Sequence, residues 1–112
     1  MNLENTKAQM RKGILEYCIL QILSKKPSYA TDIIQEMKTA QMIVVEGTLY
    51  PLLTRLKNDG YLSYRWEESV QGPPRKYYEL TENGKLFLTE LEMAWQELVE
   101  AINQLKLNNV NQ

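Results

Sequence analysis

Residues 47–62 read Gly47-Thr48-Leu49-Tyr50-Pro51-Leu52-Leu53-Thr54-Arg55-Leu56-Lys57-Asn58-Asp59-Gly60-Tyr61-Leu62. Leu49, Leu52, Leu53 and Leu56 fall at i, i+3, i+4 and i+7, one apolar stripe of a helix running from about Gly47 to Asp59. Gly60 is placed to end it, because glycine adopts the left-handed turn that closes a helix without penalty. Pro51 is expected in the opening turn, where amide hydrogens lack partners anyway. Thr48 either caps the helix or sits in that turn. The outer side then carries Thr48, Tyr50, Pro51, Thr54, Arg55 and Asn58, a polar face with one arginine.

Outward from this helix, Met10 to Ser24 reads as a first helix, apolar on more than one side through Ile14, Tyr17, Cys18, Leu20, Ile22 and Leu23. Pro27 stops it. Ser28 is the expected N-cap of a short second helix with Ile33, Ile34 and Met37 inward. After the third helix come two aromatic strand candidates, Leu62–Glu67 and Lys76–Leu80. Glu68 to Arg75 between them reads as the hairpin tip, with a stiff Gly72-Pro73-Pro74 segment presenting Arg75 and Lys76. Thr81 is placed to cap a last helix. Leu88, Leu91, Trp95, Leu98, Ile102 and Leu105 recur along it at spacings of 3 and 4, a seam that wants a second helix.

The order helix, helix, helix, hairpin, helix gives a mainly α fold with a small β-hairpin: a winged helix-turn-helix plus one C-terminal dimerisation helix. The implied division is a DNA-binding domain over residues 1–80, a dimerisation helix over 81–107 and a disordered tail over 108–112.

Composition narrows the function. The chain has no histidine and one cysteine, so neither a Ser-His-Asp triad nor a zinc site of imidazoles and paired thiolates can be built. Cys18 is read as core, no cofactor or metal is expected, and the acids are scattered along helix faces, which argues against an enzyme. No apolar run reaches membrane-spanning length and no secretion signal opens the chain, so a cytoplasmic location is expected. Net charge is −1, but residues 1–78 hold 11 Lys/Arg against 8 Asp/Glu, whereas residues 79–112 hold 2 against 6. A basic front and an acidic rear helix present one face to a polyanion. The candidate contacts to double-stranded DNA are Lys25, Tyr29, Thr48, Tyr50, Pro51, Thr54, Arg55, Asn58, Gly72, Pro73, Arg75 and Lys76. The alternative is a winged-helix adaptor that docks a protein and reads no DNA.

Two segments carry a resemblance. Thr48–Leu56 followed by Asp59-Gly60-Tyr61-Leu62 resembles the recognition-helix signature of the PadR family of transcriptional regulators. Arg75-Lys76-Tyr77-Tyr78-Glu79-Leu80-Thr81-Glu82-Asn83-Gly84 resembles its second wing strand and final-helix start. Tyr29-Ala30-Thr31-Asp32-Ile33 is similar to its second-helix opening, with alanine where glycine is frequent, and Lys57 stands where an acid is common. The resemblance covers about residues 10–105 and implies a homodimer that binds a palindromic operator and represses transcription. With one helix after the wing, the chain resembles the short branch that includes regulators of multidrug efflux pumps. In that branch a seam tryptophan stacks on flat drug molecules. Carried over by position, this implies a site for a planar aromatic ligand formed by Trp95, Val99 and Glu92 with the facing Met10, Gly13, Ile14 and Tyr17. Val99 departs from relatives with an acid there.

Overall fold

The computed structural model describes residues 2–110. Five helices and three strands follow in the order α1 (Leu3–Lys12), α2 (Leu15–Lys25), β1 (Ser28–Tyr29), α3 (Ala30–Thr39), α4 (Glu46–Asn58), β2 (Leu62–Ser69), β3 (Gly72–Leu80) and α5 (Glu82–Val110). The mainly α winged helix-turn-helix plan with one long C-terminal helix is the observed fold. Among the described residues no helix is long and apolar enough to cross a membrane.

The single first helix expected over Met10–Ser24 is instead two. Gly13 and Ile14 break the run between α1 and α2, and Asn2 caps α1 by accepting the Glu4 N–H at 2.9 Å. Helix α1 buries no residue, whereas α2 places Leu15, Ile19, Leu20, Ile22 and Leu23 inside. Burial on two faces of α2 follows because it packs on both α3 and α5.

Ser28 does not cap the second helix. It lies buried in β1, paired with Tyr78 across the middle strand of a sheet ordered β1-β3-β2. The cap of α3 is Tyr29, whose N–H donates to the Asp32 carboxylate at 3.0 Å. Helix α3 ends in a left-handed turn at Gln41, with the Met42 N–H on the Met37 carbonyl at 2.8 Å.

Helix α4 buries Leu49, Leu53 and Leu56 as the stripe predicts. It starts at Glu46, so Pro51 lies past the opening turn and leaves the Gly47 carbonyl without its usual i+4 donor. Thr48 lies within the first turn rather than capping it, its N–H on the Val45 carbonyl. Gly60 closes the helix as expected at φ 85°, with the Tyr61 N–H returning to the Leu56 carbonyl at 2.9 Å.

The hairpin is longer than the sequence suggests. Its tip is Val70-Gln71, and Gly72-Pro73-Pro74 form the opening of β3 rather than the turn. The register shifts by one residue between Glu67 and Ser69, opposite this proline-bearing stretch, where two backbone donors are missing.

Thr81 caps α5 as predicted, accepting the Gly84 N–H at 3.0 Å while its hydroxyl donates to the Gly60 carbonyl at 2.6 Å. Helix α5 runs on to Val110, beyond the boundary expected at 107, and residues 111 and 112 lie outside the described residues. The buried Gly84 presses its backbone on the turn after α4: a Cβ there would stand 2.1 Å from the Tyr61 carbonyl oxygen. Gly84→Ala is therefore expected to cost about 1–3 kcal/mol, measured by chemical denaturation. Gly13→Ala, where an added Cβ meets nothing within 4 Å, should leave stability unchanged or slightly raised.

Candidate nucleic-acid interface

Two helical flanks and the hairpin define the surface around α4. At about 100° per residue, Tyr50 and Lys57 fall on one flank, Thr54, Asn58 and Pro51 along the outer middle, and Thr48 and Arg55 on the other flank. The first flank faces the wing. There Tyr29, Thr31, Tyr50, Pro74, Arg75 and Lys76, with Trp66 and Tyr78, line a cleft of about 220 Å³ between the start of α3, α4 and the hairpin.

Cations in this cleft ride on aromatic rings. Arg75 and Lys76 are neighbours on β3 and so leave it in opposite directions. The Arg75 guanidinium lies 3.9 Å from the centre of the Tyr29 ring and donates to the Thr31 hydroxyl at 3.5 Å, a long contact. Tyr29 is backed by Tyr77 at 4.8 Å. Lys76 stands 4.6 Å above Tyr64 and 5.5 Å from Trp66, itself edge-on to Tyr64. Such stacking holds a cation in place without neutralising it. Burial and nearby Tyr50 and Tyr64 push the Tyr78 hydroxyl above its ordinary value, so this ring stays neutral at physiological pH.

The structure thus gathers Tyr29, Tyr50, Arg75 and Lys76 and adds Thr31 and Trp66, which sequence reading missed. Strand alternation offered a signal for Trp66, since it pairs with Lys76 across the hairpin. Gly72 and Pro73 are exposed nearer the tip, and Thr54, Pro51 and Asn58 are exposed on the outer face of α4. Three candidates lie elsewhere. Lys25 is paired with Glu36 at 3.5 Å. Thr48 is half-buried beside Arg11, Leu15 and Ile43. Arg55 makes an ion pair with Glu16 of α2, on the flank away from the wing.

A second constellation forms between α2 and α5. Tyr17 donates its hydroxyl to the Glu92 carboxylate, Gln21 bonds both, and the Tyr17 and Trp95 rings lie 6.4 Å apart. Burial and the Glu92 bond raise the Tyr17 hydroxyl above its ordinary value. Val99 is half-buried one turn on; Met10 is exposed on α1, and Gly13 and Ile14 form the α1–α2 break. The seam divides here. Leu88 and Leu91 pack on the chain's own core, while Leu98, Ile102 and Leu105 remain 50–63% exposed. Cys18 packs half-buried against the core, and burial pushes its thiol up.

Residues 19–90 match the Transcriptional regulator PadR-like family. The chain belongs to that family. Its members are transcriptional regulators, not enzymes, which agrees with the absence of catalytic groupings noted from composition. A PadR-like transcription factor from Bacteroides fragilis is 66% identical, with a TM-score of 0.77 over 90% of this chain and 98% of that one. A PadR family regulator from Eggerthella lenta is 29% identical, with a TM-score of 0.86 over 92% of this chain and 90% of that one. An uncharacterised protein of Lysinibacillus sphaericus is 30% identical over 100 residues, 87% of this chain and 92% of its own length. As a PadR-like chain, the α3–α4 pair and the β2–β3 hairpin are its helix-turn-helix and wing.

Proposed function

We propose that this PadR-like regulator is a repressor that binds a palindromic operator as a homodimer, the α3–α4 pair and wing docking on duplex DNA. The observation that supports it most is the aromatic-backed cation pair, Arg75 and Lys76, bordering the same cleft as Tyr29, Thr31 and Tyr50. Hydroxyls and held cations are the groups that engage phosphates and fix register, while the outer residues of α4 (Pro51, Thr54 and Asn58) face the base edges. In this reading residues 1–80 bind DNA and α5 dimerises, and the protein works in the cytoplasm.

Dimerisation follows from the bare half of the α5 seam. Leu98, Ile102 and Leu105 project half or more exposed on a helix of 29 residues, with little cover from the described residues. A partner's α5, packed between α5 and the α1–α2 region, buries them. Trp95 overfills a regular seam layer, so the space beside it admits a planar aromatic ligand that Tyr17, Glu92 and Val99 also line, with Met10, Gly13 and Ile14 supplied across the two-fold axis. Occupation there releases the operator.

Binding of labelled duplex from the region upstream of the gene, followed by anisotropy, should weaken steeply with salt. Arg75→Ala should weaken it roughly tenfold near 0.1 M salt and flatten the salt slope by about 0.9. Binding unchanged by this variant places the interface elsewhere. A wild type that ignores DNA at low salt while capturing a protein supports the adaptor reading instead. Light scattering should report twice the chain mass, falling to one chain for Leu98→Asp combined with Ile102→Asp. Planar aromatic compounds should quench tryptophan emission in the wild type and lose their tight phase in Trp95→Ala. Quenching of the same strength in that dimer removes the ligand site.

A further inference from the structure

Arg55 differs from Arg75 and Lys76 in one respect. Its charge already has a carboxylate partner, Glu16, in the first turn of α2, whereas among the described residues no carboxylate pairs with Arg75 or Lys76. The pair is open to solvent, with Arg55 58% and Glu16 31% exposed. An ion pair so placed is weak and exchangeable. Its position is also specific: Arg55 stands about 140° around α4 from Tyr50, which borders the wing cleft. Held by Glu16, the guanidinium lies beside α2, off the outer line of Thr54 and Asn58.

We propose that Glu16 is an internal substitute for a DNA phosphate, from which Arg55 must be released when the duplex docks. A carboxylate and a phosphodiester oxygen offer the guanidinium the same charge-assisted bond, so either occupies it. Glu16 thereby holds down the contribution of α4 to affinity. It is an affinity-setting residue acting through Arg55. This rests on the DNA-binding reading of the preceding subsection.

A double-mutant cycle tests it with the upstream duplex, titrated by anisotropy at several salt concentrations, using wild type, Glu16→Gln, Arg55→Gln and the pair together. Glu16→Gln is expected to bind about two- to fivefold tighter at low salt, a gain that shrinks as salt screens the Glu16–Arg55 pair. Neither the gain nor its salt dependence should appear when Arg55 is already glutamine. Weaker binding by Glu16→Gln overturns the proposal, since Glu16 would then be orienting Arg55 toward DNA. An equal gain in the Arg55→Gln background also overturns it, leaving only removal of a repelling charge. Glu16→Ala, run beside it with thermal melts, separates either outcome from a loss of fold. A wild type that binds normally while the cycle stays flat refutes this inference alone; a wild type that binds no DNA refutes the DNA-binding reading with it.

Discussion

The contact of the Gly84 backbone with the Tyr61 carbonyl is the constraint around which the molecule is arranged. It needs Gly60 in its left-handed turn, Thr81 bonded to Gly60 through its hydroxyl and to Tyr61 through its N–H at 3.2 Å, and Tyr61 stacked on Phe87 at 4.2 Å. These few bonds join the end of α4 to the start of α5 directly, although the whole hairpin intervenes in sequence. The hairpin leaves from Leu62 and returns to Leu80 at the same junction, so its base is held by the same contacts. Helix α4, the wing and α5 therefore share one anchor.

Electrostatics around that anchor depend on what each cation touches more than on how many there are. Net charge is −1, yet on the wing Arg75 and Lys76 lie on aromatic faces with no carboxylate paired to them among the described residues, while Arg55 and Lys25 are met by glutamates. A face with the same residues and different partners would have a different field. This is how a mildly acidic chain belongs to a family of transcriptional regulators without a basic surplus.

Much of this was legible in sequence because it is local. The α4 leucine stripe, Gly60 as its stop and Thr81 as a cap each depend on residues within one or two helical turns, and the structure bears them out. Features that depend on distant partners were not legible. Ser28 belongs to a strand because Tyr78 lies opposite it, 50 residues on. Two prolines and a glycine read as a turn, yet they sit in β3 where the shifted register asks for few donors. Apolar residues on several sides of the first helix gave no sign of the Gly13–Ile14 break, because α1 lacks a buried stripe of its own. Arg55 looked free because Glu16 is 39 positions away. At the other constellation, the family resemblance implied Glu92 and Tyr17 beside Trp95, but not Gln21 with them.

Helix α5 spans 29 residues, about 43 Å at 1.5 Å per residue, and is held at one end by a junction only a few atoms across. It behaves as a lever arm with a stiff fulcrum: a swing of one degree at Gly84 displaces the far tip by about 0.8 Å over that length. Read backwards, a displacement at the far tip is geared down into a fine adjustment of α4 at the other side of the junction. Angular tolerance at a single glycine thus governs how finely α4 can be set against the far end of α5.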